Sequence, residues 1–172
     1  ASVAILSDNE VQPAHAEMAD LIVIGVSSPG VGWAVQRLNE LLDQKRPVAF
    51  VTKGLDRQGE RLATYAEKLP SQIPGATAFI GIGGPCIARE LANRQPTSSV
   101  YACREQDSAR AIAQWMQTPY YRLAVSDDVF GVEACAALKN FYAIGLSAIQ
   151  TRYPDAARVD GQTQNPTASA FK

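Results

Sequence analysis

Apolar, β-rich runs of strand length alternate along the chain with stretches of helical periodicity, and this alternation constrains the fold more than any other feature. Several of the runs are apolar almost throughout, which is typical of strands covered on both faces of a sheet. The alternation therefore predicts an α/β fold with a mostly parallel sheet. The predicted strands are Val3–Leu6, Leu21–Val26, Val48–Thr52, Thr77–Ile82, Ser99–Ala102 and Arg122–Val125, and the predicted helices are Val31–Leu42, Arg61–Leu69, Cys86–Asn93 and Ala109–Met116.

After the last of these strands the sequence predicts one long apolar helix. Asp127 and Asp128 can cap its start, and Val129–Gln150 then carries only two charged residues, Glu133 and Lys139. A helix that is apolar on nearly every face is typical of the centre of a helical domain. We therefore predict two domains, over residues 1–126 and 127–172, with a loop over 152–166 and the first turn of another helix over 167–172.

The composition and charge of the chain exclude several classes of protein. Lysine and arginine (16) nearly balance aspartate and glutamate (17), and the net charge of −1 argues against broad binding to nucleic acid or to an anionic membrane. The 47 % apolar content excludes intrinsic disorder. No apolar run approaches the roughly 18–20 residues that span a bilayer, and no signal peptide is evident, so we expect a soluble, cytoplasmic protein.

Cysteine and histidine do not suggest a metal site. Cys86, Cys103 and Cys135 show no Cys-x-x-Cys spacing, and their odd number favours a reducing compartment over a disulfide framework. His15 is the single histidine, and no acidic or cysteine partner stands at ligand spacing from it. We therefore predict that the chain binds no metal.

Two candidate binding segments follow predicted strands, at the carboxyl ends where a parallel sheet binds ligands. Gly25–Gly30 is rich in small residues that let a ligand approach the backbone, and the helix after it offers free N–H groups to an anion. A simple tight turn would explain the same residues. Lys53 follows the strand Val48–Thr52, where a cation suits a phosphate or a polarised carbonyl, although such lysines are more often only solvated.

A third candidate segment is Gly81–Cys86, which is rich in glycine and again lies between a predicted strand and a predicted helix. Its glycines can form a nest of backbone N–H groups that holds an anion. It is not a dinucleotide fingerprint, because Cys86 stands at the third glycine position. Pro85 suits the first turn of a helix, and Cys86 there could carry a lowered pKa, yet a small buried thiol is the more common case.

Lys139 is the most informative single residue, because it lies within the apolar helix among small and aromatic side chains. Burial of an ammonium group is costly and lowers its pKa towards the range useful for proton transfer. The alternatives are a lysine that reaches solvent or one that pairs with Glu133, although the two lie about 120° apart round the helix. We predict a functional lysine, with Asn140 beside it able to orient a substrate hydroxyl or amide.

Taken in chain order, five motifs carry a resemblance to a known family: Ala19–Ser28 (ADLIVIGVSS), Thr52–Leu55 (TKGL), Gly84–Glu90 (GPCIARE), Ser126–Glu133 (SDDVFGVE) and Ala137–Asn140 (ALKN). The chain resembles NAD(P)-dependent glycerol-3-phosphate dehydrogenase from Ala19 to about Ile149. The ALKN motif is the most specific, and its separation from Gly84 agrees with the family pattern.

The resemblance implies a Rossmann-type, mostly parallel sheet followed by the start of an all-helical domain, with the active site between them. It implies hydride transfer between NAD or NADP and C2 of glycerol 3-phosphate or dihydroxyacetone phosphate, with Lys139 as the catalytic acid/base. The implied partner is a small phosphorylated polyol, with no nucleic acid and no membrane span, and a homodimer is left open. Substrate contacts would come from Lys53, Gly84, Cys86 and Asn140, and cofactor contacts from Ser27, Ser28, Lys53 and Ala88.

Several family features have no counterpart in the chain. We find no glycine-rich turn after a first strand, and the family's aspartate and its serine–arginine–asparagine phosphate grip fall beyond Lys172. Cys86 stands where the family has serine, a stronger hydrogen-bond donor. Segment 153–164 lacks the expected glycine-rich character. We therefore expect part of a longer enzyme or a divergent member, with an incomplete site. The alternatives are a related two-domain dehydrogenase of another hydroxy acid or polyol phosphate, and a non-catalytic interaction scaffold.

Overall fold

The computed structural model describes residues 3–152, within which strands and helices alternate as predicted. The strands are β1 (Ile22–Ile24), β2 (Arg46–Phe50), β3 (Asp56–Gln58), β4 (Arg61–Ala63), β5 (Ala76–Gly83), β6 (Thr97–Ala102) and β7 (Tyr121–Ser126). The helices are α1 (Pro13–Glu17), α2 (Val31–Leu41), α3 (Tyr65–Gln72), α4 (Ala88–Ala92), α5 (Gln106–Met116) and α6 (Val129–Arg152), with 3₁₀ turns at Asp8–Glu10 and Ser28–Gly30.

Five of these strands form one sheet in the order β1-β2-β5-β6-β7. β1 pairs in parallel with β2, and β2 with β5, so that Ile24 is in register with Phe50 and Phe50 with Gly81. β6 runs antiparallel to β5, and β7 pairs in parallel with β6. The predicted mostly parallel sheet is confirmed, and the reversal at β6 is an addition to it. β1, β2 and β5 all finish at the same end of the sheet, called here the carboxyl end.

Successive residues of β2 point to opposite faces of the sheet and build two hydrophobic cores. Val48 and Phe50 pack with α2 and α3 on one face, whereas Ala49 packs with α5 on the other. Because helices cover both faces, residues 48–50 of β2 and 78–83 of β5 are apolar throughout rather than alternating. The first core contains Ile24, Val31, Ala34, Leu38, Val48, Phe50, Tyr65, Leu69 and Ile73. The second contains Ala49, Ala78, Ile80, Tyr101, Cys103, Ala109, Ile112 and Ala113.

Helix α6 lies along β5 on the α3 face of the sheet, and only its first turns are packed. Its predicted cap is confirmed, since the Gly131 N–H donates to Asp128 Oδ1 at 2.8 Å. Val129 and Glu133 are its buried residues. No element within residues 3–152 covers its second half, so the expectation that the helix lies at the centre of a helical domain stays a prediction. The exposed apolar side chains there are Leu138, Phe141, Tyr142, Ile144 and Ile149.

The same helix corrects the expectation that no segment is long and apolar enough to cross a membrane. α6 has 24 residues and a mean hydropathy of 1.3 over its most apolar window, which satisfies that test by length and composition alone. Its first turns pack on β5 and bury a carboxylate, whereas little of the apolar window is buried within residues 3–152.

Three predicted elements differ from the structure. Val3–Leu6 forms no strand, because no described strand pairs with it, and its apolar side chains lie in solvent. The predicted helix Arg61–Leu69 begins as β4, which forms a hairpin with β3, and becomes helical only after the N-cap residue Thr64. The predicted helix Cys86–Asn93 starts later, at Ala88. The predicted loop is helical at Arg152, and its remainder and the helical turn over 167–172 lie outside the described residues.

Candidate active site

Three predicted binding segments meet at the carboxyl end of the sheet. Gly25–Gly30 follows β1, Thr52–Gly54 follows β2, and Gly83–Cys86 ends and follows β5. Because β1, β2 and β5 are adjacent and parallel, the segments that follow them lie side by side. Motifs that are far apart along the chain are thus neighbours at one end of the sheet, which is the end where open α/β sheets bind ligands.

The first two segments are joined by side-chain hydrogen bonds. The Ser28 hydroxyl donates to the Lys53 carbonyl at 2.8 Å, and the Thr52 hydroxyl donates to the Val26 carbonyl at 2.7 Å. Lys53, whose carbonyl accepts this bond from Ser28, is followed directly by Gly54. Gly54 has a φ of +156°, and a Cβ there would lie 2.9 Å from Ser28 Oγ. Lys53 is therefore held at a fixed point of the backbone while its side chain remains exposed.

The third segment turns sharply at Gly84, where φ is +133°. A Cβ at this position would lie 2.9 Å from Ser99 Cα and 3.0 Å from the Ser98 carbonyl oxygen, both on the backbone of β6. Only glycine combines this φ with so close an approach. The bend directs the chain away from β5 and exposes it at the carboxyl end of the sheet.

Helix α6 reaches the same end through a close approach to Gly83. A Cβ on Gly83 would lie 2.7 Å from Val132 Cγ1, and Ala136 Cβ lies 3.8 Å from the same point. Residues separated by three or four positions share one face of a helix, so Val132, Ala136 and Lys139 lie on that face. Lys139 thus continues the α6 face that packs on the end of β5, about one turn beyond Ala136.

The predicted burial of Lys139 is only partly met. Its side chain is half-buried, and its neighbours Leu138, Phe141 and Tyr142 are 43 %, 73 % and 66 % exposed. The expectation of an amine enclosed within apolar side chains is therefore wrong for residues 3–152, because α6 runs past the edge of the sheet at this point. The alternative pairing with Glu133 does not occur, because Glu133 bonds to α3 instead.

Glu133 is the residue that the sequence reasoning missed. Its side chain is 7 % exposed, and it accepts the Tyr65 N–H at 3.1 Å and the Ala66 N–H at 3.0 Å. Burial raises the pKa of this carboxyl, and the hydrogen bonds from Ala66, Thr64 and Tyr65 oppose the shift. The available signal is a lone acidic residue in an apolar helix.

A narrow cleft lies between the sheet and α6. Its walls are the last residues of β2 and β5, the Thr52–Gly54 segment and the first turns of α6. The lining residues are Phe50, Thr52, Gly54, Ile82, Val132, Glu133 and Ala136. None of the predicted site residues lines this narrow cleft, although Thr52 and Gly54 flank Lys53, and Ala136 precedes Lys139 by three positions on α6. A larger cleft of about 420 Å³ lies elsewhere, between α3 and the start of α6, and contains none of the predicted site residues.

The predicted site residues differ in how far the structure brings them together. Ser27, Ser28, Lys53 and Ala88 are exposed at the carboxyl end, and Gly84 and Cys86 are half-buried there. Cys86 is not at a helix N-terminus as predicted, because α4 begins two residues later. Asn140 is exposed and follows Lys139 on α6. Chemically, the assembled end offers hydroxyl donors, two ammonium groups and an open backbone bend, which suit an anionic ligand and a proton transfer.

Known proteins share these segments. A family model described as the N-terminus of NAD-dependent glycerol-3-phosphate dehydrogenase matches residues 4–109. The NADP(+)-dependent glycerol-3-phosphate dehydrogenase of Archaeoglobus fulgidus is 31 % identical over 137 residues, which cover 78 % of this chain and 40 % of that protein. Glycerol-3-phosphate dehydrogenase NAD(P)+ 1 of Mycobacterium tuberculosis is 35 % identical over 131 residues, which cover 76 % of this chain and 38 % of that protein.

Solved structures agree with this match. The crystal structure of glycerol-3-phosphate dehydrogenase from Coxiella burnetii superimposes with a TM-score of 0.66 at 26 % identity, covering 80 % of this chain and 41 % of that one. The yeast enzyme, at 18 % identity and a TM-score of 0.68, supports the fold. The chain spans about 40 % of the length of the curated relatives that it matches. The Rossmann-type fold class is confirmed, and the chain belongs to the NAD-dependent glycerol-3-phosphate dehydrogenase family.

Proposed function

We propose that the full-length gene product containing this chain is an oxidoreductase that transfers a hydride between NAD(P) and C2 of glycerol 3-phosphate or dihydroxyacetone phosphate. Membership of the family supports the reaction class. The observation that carries the proposal is the placement of the Lys53 loop, the Gly84 bend and the Lys139 face of α6 at one end of the sheet. A scaffold without catalysis would have no need for this combination.

We propose that residues at the carboxyl end hold the nicotinamide half of NAD(P). Ser27 and Ser28 present exposed hydroxyl groups, and Lys53 presents an exposed ammonium group beside them. Gly54 and Gly84 keep the backbone of their loops free of side chains where the space is smallest. We assign cofactor contacts to Ser27, Ser28, Lys53 and Ala88. The bound NAD(P) supplies the hydride donor or acceptor, and this chain supplies the surface that orients it.

The substrate contacts lie next to this surface. Lys53 is suited to a phosphate oxygen, because an exposed ammonium is a point charge on a flexible stem. The backbone at Gly84 and the thiol of Cys86 line the same bend, where the thiol is a weaker donor than a serine hydroxyl. Asn140 offers an amide that can donate to, or accept from, a substrate hydroxyl. We assign substrate contacts to Lys53, Gly84, Cys86 and Asn140.

Lys139 is the proposed acid/base. In the direction of ketone reduction, its Nζ gives a proton to the C2 oxygen as the hydride arrives at C2, and it takes that proton back during oxidation. Its position one turn beyond Ala136 directs it to the end of the sheet where the other groups meet. The residue as a whole is half-buried, so it is partly shielded from bulk water.

The experiment that tests the proposal measures oxidation of NADH and of NADPH with dihydroxyacetone phosphate by the full-length gene product. We expect turnover with at least one of the two cofactors. Lys53→Ala should raise the KM for substrate and lower the rate, whereas Lys45→Ala, at an exposed lysine before β2, should change neither. An unchanged KM in Lys53→Ala would contradict its phosphate contact. Turnover only with another hydroxy acid or polyol phosphate would favour the related dehydrogenase.

We further propose two domains within the chain, a homodimer and a cytoplasmic location. Residues 1–126 would form part of the dinucleotide-binding domain, and residues 127–172 would begin a helical substrate-binding domain. The exposed apolar side chains of α6 support a homodimer formed through that domain. Sedimentation of the full-length protein at micromolar concentration should give twice the monomer mass, and a monomer would contradict the dimer. Cell fractionation should place the protein in the cytoplasm.

A further inference from the structure

Glu133 is a buried acidic residue to which the proposed reaction assigns no role. The residue is 7 % exposed, and its two carboxylate oxygens accept separate N–H groups, Tyr65 at 3.1 Å and Ala66 at 3.0 Å. These are the first two residues of α3, whose N–H groups have no partner within their own helix. A buried carboxylate is costly unless it is fully hydrogen-bonded, and here the positive end of the helix also stabilises it.

Glu133 completes the cap of α3, because it accepts the N–H groups of Tyr65 and Ala66, which have no partner within the helix. The helix already has a capping box of its own, in which the Thr64 N–H donates to Glu67 Oε2 at 2.9 Å. Glu133 therefore brings a second carboxylate to the same helix end, where the charge of Glu67 works against its ionisation. It reaches there from α6, 68 positions along the chain. The bond thus ties two distant elements together in addition to finishing a helix.

Glu133 joins α3 to α6, and each of these helices is connected to one of the proposed functional lysines. On one side, Tyr65 lies against the turn that carries Lys53, since a Cβ on Gly54 would be 3.3 Å from Tyr65 Oη. On the other side, Glu133 and Lys139 belong to one continuous helix, α6. A change in how the carboxylate holds α3 would therefore move the Lys53 turn relative to Lys139.

We propose that Glu133 is a positioning residue, whose carboxylate locks α6 to the start of α3 and thereby fixes Lys139 relative to the Lys53 turn. This role rests on the proposed function, because it concerns the geometry of the proposed acid/base. Reacting groups misplaced by about 1 Å can lose about 100-fold in rate, so a lock of this kind affects the chemical step more than cofactor binding.

The test compares Glu133→Gln with Glu67→Gln in the full-length gene product. Both variants remove a carboxylate from the start of α3, but only the first weakens a tie to α6. The glutamine amide at position 133 can accept one of the two N–H groups, and its NH2 group then faces the other donor. We expect Glu133→Gln to lower kcat with dihydroxyacetone phosphate by about 10- to 100-fold. The Kd of NADH should rise by no more than about fivefold, because the Lys53 turn is only one of the assigned cofactor contacts. Glu67→Gln should keep kcat within about twofold of wild type. Equal kcat in both variants, or a loss in Glu133→Gln confined to cofactor affinity, would overturn the proposal.

A second readout separates failure of this inference from failure of the proposed function. Hydrogen exchange on the chain itself should rise in Glu133→Gln both in the first half of α6 and in the Lys53 turn. In Glu67→Gln the rise should be confined to α3. Unchanged exchange in α6 and the Lys53 turn of Glu133→Gln would overturn the lock, whatever the enzyme assay gives. Absence of turnover in wild type with the exchange pattern intact would instead overturn the proposed function and the catalytic meaning of the lock, while leaving the lock itself.

Discussion

Gly84 provides the sharpest stability test of the site, because alanine there meets two separate obstacles. Its φ of +133° is strained for any L side chain, at a cost of about 1–3 kcal/mol. The added Cβ would lie 2.9 Å from Ser99 Cα and 3.0 Å from the Ser98 carbonyl oxygen. Both are backbone atoms of β6, which cannot rotate away as a side chain can. Overpacking of this kind costs about 1–3 kcal/mol, so we expect Gly84→Ala to lose about 4 kcal/mol in total.

Two other glycines serve as matched controls for the assay, which is urea unfolding followed by circular dichroism. Gly59 has a φ of +64° and no atom near its added Cβ, so Gly59→Ala should cost only about 1 kcal/mol. Gly32 lies in α2 with open space, so Gly32→Ala should stabilise the protein by about 0.5–1 kcal/mol. With a slope of about 2 kcal/mol per molar urea, the Gly84 variant should unfold about 2 M earlier than wild type. A loss no larger than that of Gly59→Ala would refute the close approach of the bend to β6.

Four further outcomes are expected. Gly83→Ala should destabilise the protein by about 1–3 kcal/mol in the same urea assay, because its Cβ would lie 2.7 Å from Val132 Cγ1; no loss would show that α6 sits further from β5. Asp128→Ala should lose about 1 kcal/mol by removing the cap of α6, and an unchanged unfolding midpoint would contradict that cap. Burial raises the pKa of the Cys103 thiol to about 11. Iodoacetamide at pH 8.5 should therefore label the exposed Cys135 and leave Cys103 unmodified, as detected by mass spectrometry. Rapid labelling of native Cys103 would contradict its burial. The same shift makes the free energy of unfolding fall as the pH rises from about 9 to about 11, because over that range the unfolded chain loses this proton first.

Local patterns predicted most of the fold, and what they missed depended on long-range packing. Helix α2 follows from the spacing of its apolar residues, and the capped start of α6 follows from Asp128. The hairpin before α3 was missed because Arg61–Leu69 has helical periodicity throughout. The capping box of Thr64 and Glu67 marks the true helix start and could have been recognised. The antiparallel direction of β6 has no local signal at all.

In the candidate site, too, local patterns predicted some residues and long-range packing determined the others. The Ser28, Lys53 and Gly84 segments could be predicted because they follow apolar strands, and parallel pairing then brings them together. The partial exposure of Lys139 could not be predicted, since it depends on where α6 leaves the sheet. Glu133 was missed because its partners are backbone N–H groups on α3, and sequence patterns do not reveal backbone donors far along the chain.

The account depends most on Lys139 as the group that exchanges a proton with the C2 oxygen. The direct measurement is the single-turnover rate of NADH or NADPH oxidation with dihydroxyacetone phosphate, in the full-length gene product and its Lys139→Ala variant. We predict a rate about 10²–10⁴-fold lower in the variant, with cofactor affinity retained, and no change in the control Lys45→Ala. A Lys139→Ala variant that turns over as fast as wild type would contradict the account.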